Sequence, residues 1–183
     1  EMRLAEKQME RIPETIGSIP YVIIMDRGYP STPAFIHMMD KDIKFIVRLK
    51  SSDYKKEQSS LVENDQLVKI KLDKSRIRHY EGTPDGERMK ELGEISLRMV
   101  KILLENGSLE VLATNLSQSE FHTAEIKELY HMRWGIETAY ETLKSRLQLE
   151  NFTGTKPILL LQDIYSTIYL SNLAEDIILE IGR

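Results

Sequence analysis

The chain has 183 residues, 41% hydrophobic and 30% charged, with 25 basic against 29 acidic side chains and a formal charge of −4. That suffices for one sizeable core, or a core with a small inserted subdomain, and argues against wholesale disorder. The lack of cysteine excludes a disulfide scaffold, a zinc ribbon, an iron–sulfur cluster and a thiol nucleophile. The acidic balance excludes a uniformly basic nucleic-acid module, so any such contact needs local patches or carboxylate-bound metal ions.

The opening Glu1-Met2-Arg3-Leu4-Ala5-Glu6-Lys7 has an amphipathic helical pattern and no apolar stretch of the secretory kind. Tyr21-Val22-Ile23-Ile24-Met25-Asp26 reads as a strand buried on both faces and ending in a carboxylate. Arg27-Gly28-Tyr29-Pro30 breaks it, and Thr32-Pro33 resembles an N-cap followed by proline in the first turn of a short helix over 34–39. A second strand over 43–49 completes a β–α–β unit, which implies a parallel or mixed sheet with a right-handed crossover.

Residues 51–108 hold 11 basic and 11 acidic side chains and short alternating runs at 67–72 and 76–80. Thr83-Pro84-Asp85-Gly86 reads as a turn, 95–104 as another strand, and Asn106-Gly107 as a type I′ hairpin into a strand over 109–114. The expected organisation is therefore an α/β core in 1–50 and 109–183, with a β-rich insertion at 51–108. Beyond Asn115 the period becomes helical: Thr123 is the expected N-cap of one helix running to about Leu147. Leu129, Met132, Ile136, Ala139, Leu143 and Leu147 form its core stripe. The final apolar stretch, 157–181, contains Gln162, Asp163, Ser166, Ser171, Asn172, Glu175 and Asp176. So many polar groups would be expensive in hydrocarbon, and a buried helix with Pro157 in its first turn is expected instead.

Four polar residues share a helix face. At roughly 100° per residue, Arg133, Glu137 and Lys144 lie about −60°, −20° and −40° from Tyr130, beside the expected apolar stripe. A carboxylate, two cations and a phenol at the edge of buried packing suit a site, and they equally suit flanking i,i+4 pairs.

The spacing Tyr130-x2-Arg133-x3-Glu137-x6-Lys144, within Leu129-Tyr130-His131-Met132-Arg133-Trp134-Gly135-Ile136-Glu137, resembles the signature of a group of bacterial insertion-sequence transposases of the DDE class. Asp26-Arg27-Gly28-Tyr29 resembles their second aspartate motif, and Thr114-Asn115-Leu116 and Leu143-Lys144-Ser145 also match. The likeness is strong in 21–49 and 109–155 and loose in 51–108.

What the resemblance implies is a ribonuclease-H-like mixed sheet with flanking helices, performing metal-dependent phosphodiester cleavage and strand transfer at transposable-element ends. Three carboxylates would hold two Mg²⁺ ions roughly 3.5–4 Å apart, with Mn²⁺ able to substitute. Asp26 and Glu137 would be catalytic metal ligands, and Tyr130, Arg133 and Lys144 would contact DNA. The implied partners are transposon-end and target DNA and a second copy of the full-length protein. The implied setting is the prokaryotic cytoplasm at the nucleoid, with no membrane.

This chain departs from that pattern at its start. No aspartate precedes Asp26; the acids there are Glu1, Glu6, Glu10 and Glu14. The expectation is a catalytic-core fragment lacking the first aspartate, with its two-ion site empty or partial and little or no activity of its own. A non-catalytic DNA-binding or assembly domain derived from such a core is the alternative, and an ion-pair network is the purely structural one.

Other residues invite plainer readings. Trp134 is expected to pack against a neighbouring element, and Tyr80 on its own sheet. The histidines at 37, 79, 122 and 131 show no metal-ligand spacing. Arg27 has a DNA contact or a carboxylate pair open to it. Lys69, Lys71, Lys74, Arg76 and Arg78 form the most basic stretch, either a solvated strand face or a phosphate contact. Gln148, Glu150, Asn151 and Thr153 read as helix-closing residues.

Overall fold

Extended segments of apolar residues build one five-stranded sheet. In the computed structural model, which describes residues 2–104, 107–146 and 151–181 (side chains at 2–6, 10, 13, 146 and 179 excepted), the strands are β1 (Val22–Met25), β2 (Lys44–Leu49), β3 (Asp65–Lys71), β4 (Glu94–Leu103) and β5 (Leu109–Thr114). Their order is β1-β2-β5-β4-β3. β1 and β2 are parallel, Ile24 opposite Ile46, and the other neighbours are antiparallel. The sheet is thus mixed, and its helices make the class α/β, of the ribonuclease-H-like kind. Two compact units result, Glu1–Tyr130 and His131–Arg183.

The first unit contains the whole sheet. On one face, Phe45, Val47, Ile70, Leu97, Met99 and Ala113 pack with Phe35 and Met38 of α2 (Thr32–Asp40) and Met89 of α5 (Pro84–Leu92). Phe35 stacks on Phe45 with ring centroids 5.3 Å apart. Met9 of α1 (Met2–Ile16) joins this core. On the other face, Ile46, Val100, Ile102 and Leu112 meet Leu116 and, from α6 (Thr123–His131), Ile126 and Tyr130. Cover on both faces explains why β2 and β4 have consecutive buried residues instead of alternation. β1 is less enclosed than expected: Val22, Ile23 and Ile24 are half-buried, because it ends the row of strands and has a neighbour on one side only among the described residues.

Local chemistry corrects several expected boundaries. Ser31, not Thr32, caps α2: its Oγ accepts the Ala34 N–H at 3.2 Å, while the Thr32 hydroxyl shares a hydrogen bond with the Tyr54 hydroxyl. Residues 76–80 are not a strand. Asp73 Oδ1 accepts the Ser75 and Arg76 N–H groups and starts α4 (Lys74–Ile77), continued as a 3₁₀ turn, Arg78–Tyr80. Thr83-Pro84-Asp85-Gly86 opens α5, with Thr83 Oγ1 accepting from Gly86 N at 3.2 Å and Pro84 in the first turn. A further short helix, α3 (Lys55–Ser59), follows β2. Segment 51–108 thus brings three helices as well as β3 and β4, and both strands join the common sheet. The β4–β5 hairpin forms, with Leu103 opposite Leu109; Asn106 lies outside the described residues, and Gly107 has φ +79°.

The long signature helix is interrupted. α6 ends at His131, Met132 and Arg133 form a turn, α7 covers Trp134–Glu141, and a π-helical turn covers Thr142–Arg146. α6 itself starts at Thr123, so Thr123 is its first residue and not its cap; Glu125 reaches back to the His122 N–H at 2.7 Å. Met132 and Ile136, expected in the core stripe, are 69% and 55% exposed; Leu147 lies outside the described residues. Trp134, expected to be packed, is 54% exposed. α8 (Pro157–Ile181) forms with Pro157 at its start, yet Leu161, Tyr165, Tyr169 and Ile178 are exposed. Its apolar residues occupy almost every face, more than the elements of a unit of this size cover. Among the described residues no helix is long and apolar enough to cross a membrane. Thr153 donates its N–H and hydroxyl to Asp163, which ties the turn before α8 to that helix.

Candidate active site

β1 delivers Asp26 at its C-terminal end, where the chain turns: Tyr29 N–H donates to the Asp26 carbonyl at 3.2 Å. The turn leaves Arg27 exposed and without an ion pair among the described residues, and half-buries Asp26. Asp26 Oδ1 is buried and accepts no hydrogen bond among the described residues. A buried carboxylate oxygen without a donor is costly, so such an atom needs a structural reason.

Tyr130 ends the first unit. It is 5% exposed in the cluster that Val22 and Ile24 of β1 also join. In the second unit Arg133 and Glu137 meet directly: Arg133 Nη1 donates to Glu137 Oε1 at 2.7 Å, one helical turn along. The Arg133 guanidinium lies 5.7 Å from the centroid of the Trp134 ring. Glu137 is about half exposed, and Lys144 is exposed in the π-helical turn. The sequence-predicted residues are therefore distributed as Asp26 and Tyr130 in one unit and Arg133, Glu137 and Lys144 in the other. The break at 132–133 removes the continuous wheel on which the shared sector was reckoned. Among the described residues no three His, Asp or Glu side chains gather as a metal cage.

Thr114-Asn115-Leu116 has a structural task. The Thr114 hydroxyl, fully buried, donates to the Phe45 carbonyl at 2.5 Å and accepts the Leu116 N–H at 3.1 Å. Asn115 accepts from Phe45 N at 3.0 Å and donates to the Ile43 carbonyl at 2.8 Å. Together they clasp the start of β2, the strand beside β1.

A second polar lock was invisible in the sequence. Arg98, 3% exposed on β4, binds Asp65 through two hydrogen bonds of 2.8 and 2.6 Å. Its Nη1 donates to the carbonyls of Leu116, Ser117 and Phe121. Gln118 and Thr123 also donate to Asp65, at 3.0 and 2.5 Å. These donors, Arg98 first, hold the Asp65 carboxyl down to about 2. The lock anchors the 115–123 connection that leads into α6 and Tyr130. In the sequence Arg98 is one more polar residue in an alternating strand, and only its 3% exposure marks it.

The profile of the family described as Transposase DDE domain matches residues 1–173 of this chain. The chain belongs to the DDE transposase family. Individual relatives agree: it is 32% identical over 75 residues to the Escherichia coli transposase of insertion sequence element IS421, covering 41% of this chain and 20% of that protein. It is also 23% identical over 177 residues to InsG, the transposase of IS4 in Escherichia coli K12, covering 94% of this chain and 37% of InsG. The chain thus spans between a fifth and two fifths of the length of these relatives.

Proposed function

We propose that this chain is part of the catalytic core of a DNA transposase, with Asp26 and Glu137 as ligands of a divalent metal pair and Arg133 and Lys144 holding DNA phosphates. The observation that carries the reading is the buried, undonated Oδ1 of Asp26 at a strand end. A hard cation such as Mg²⁺ takes oxygen ligands and would satisfy that atom where no donor among the described residues does. Bound there, Mg²⁺ or Mn²⁺ supplies activation of the attacking hydroxyl and stabilisation of the leaving oxygen.

The chain's own residues prepare the rest. The turn at 26–29 fixes the Asp26 backbone, and the Thr114–Asn115 clasp holds the strand next to it. Arg133 orients the Glu137 carboxylate through their ion pair, and the planar fork of a guanidinium matches the geometry of a phosphate. The buried Tyr130 suits positioning of a ligand better than a long reach into a groove. Cleavage and strand transfer at element ends, and dimerisation on DNA, belong to the complete protein in this reading.

The test is Mn²⁺ binding by this chain, read as paramagnetic broadening of amide signals, alongside element-end cleavage by the complete transposase. Asp26→Asn is expected to abolish broadening around residue 26, and Asp26→Asn and Glu137→Gln each to abolish cleavage. Wild-type broadening in Asp26→Asn, or wild-type cleavage by either variant, overturns the reading.

A further inference from the structure

The 51–108 segment contains a concavity built from none of the signature residues. It encloses about 480 Å³ and is lined by Lys74, Ile77, Arg78, Glu81 and Lys90, within the volume range of ordinary ligand sites, about 300–1,000 Å³. Lys74 and Arg78 stand four residues apart on α4 and its 3₁₀ continuation, so they share a face. Ile77, 8% exposed, gives an apolar floor, and Lys90 enters from α5.

The structure separates the basic stretch at 69–78 into committed and uncommitted cations. Lys69 pairs with Glu94 at 3.0 Å. Arg76 turns inward to Glu57 at 2.5 Å, its guanidinium 5.0 Å from the centroid of the Tyr54 ring. Lys90 pairs with Glu87 at 2.7 Å. Lys74 and Arg78, both exposed, make no ion pair among the described residues. Asp73, the acid nearest in sequence, spends its carboxylate on the α4 cap. Three cations therefore line the concavity against one acid, Glu81. Two cations with uncommitted charge, Lys74 and Arg78, beside the paired Lys90 and over an apolar floor, suit an anionic group such as a phosphate ester and repel a metal ion.

We propose that this concavity is a phosphate site that holds the DNA backbone. Its phosphate chemistry stands on these residues alone, and only DNA as the source rests on the transposase reading.

The test is duplex binding by the full chain over a range of salt, together with amide shifts at 74–90 on adding a short duplex or inorganic phosphate. Lys74→Gln and Arg78→Gln replace exposed side chains and leave the α4 cap intact. Each is expected to make the slope of log affinity against log salt less negative by about 0.9, the value of one B-DNA phosphate contact. Glu81→Gln is expected to tighten binding. Unchanged slopes in both cation variants overturn the proposal. Shifts at 74–90 with inorganic phosphate but not with duplex overturn DNA as the source. Neither result touches the Mn²⁺ experiment at Asp26, so the two readings fail separately.

Discussion

At the scale of single residues, the most consequential side chain outside the signature is Arg98. It is almost fully buried, and one carboxylate and three carbonyls depend on it. Removing one partner of such a pair strands the other, so Arg98→Met is expected to cost about 3–5 kcal/mol in thermal or denaturant unfolding. The sign of its pH dependence follows from Asp65, whose carboxyl is held down to about 2 by Arg98, Thr123 and Gln118. Its unfolded value is about 3.9. The stabilisation is complete above that value and disappears as pH falls from about 4 to about 2. Asp65→Asn should flatten the acid limb of a stability–pH curve within that window, and an unchanged limb would refute the assignment. Arg133 and Glu137 differ in kind: their i,i+4 pair joins a largely buried guanidinium, 12% exposed, to a carboxylate that is 54% exposed, so one end of the pair faces solvent.

At the scale of elements, the same residue vocabulary serves turns and helix starts. Thr83-Pro84 begins a helix just as Ser31-Thr32-Pro33 does, although Asp85-Gly86 in isolation spells a turn. Gly86 shows why glycine stands there: a Cβ would lie 2.0 Å from the Tyr80 carbonyl oxygen, a backbone atom with little freedom to yield. Gly86→Ala, which ordinarily stabilises a helix interior by roughly 0.5–1 kcal/mol, is expected to destabilise α5. Thr83→Ala is expected to cost about 1 kcal/mol by releasing the Gly86 N–H. Both are read by denaturant unfolding, and a stabilised Gly86→Ala protein would contradict the close approach. The break at Met132–Arg133 has no proline to announce it. Its i→i+3 hydrogen bonds, Gly135 N to Met132 O and Ile136 N to Arg133 O, tighten the chain before α7.

At the scale of the molecule, the acidic total hides separate basic places. The formal charge of −4 forbids a uniformly attractive surface, so DNA contact is proposed in local patches, the Lys74–Arg78–Lys90 concavity and the Arg133 and Lys144 side chains. Salt dependence distinguishes these from structural ion pairs. Lys144→Ala, at an exposed side chain, is expected to reduce the salt slope by about 0.9 while changing stability by no more than about 0.5 kcal/mol. Arg133→Ala is expected to reduce the slope likewise and also to lower stability, because its side chain is largely buried. A change in stability with an unaltered slope would assign Arg133 and Lys144 to the ion-pair network alone.

Much of this protein was written locally. The β-branched run before Asp26, the crossover helix with its proline, the strand at 109–114 and the final helix depend on neighbouring residues and their period. The spacing of Tyr130, Arg133, Glu137 and Lys144, with Asp26, sufficed to indicate the family. Tertiary structure decided what local pattern could not express. Whether Arg76 faced solvent or Glu57 depended on residues 19 positions apart. The Thr114–Phe45 and Arg98–Asp65 contacts join positions 69 and 33 apart. Burial, pairing and the gathering of Lys74, Arg78 and Lys90 are properties of distant segments packed together, and no window of adjacent residues contains them.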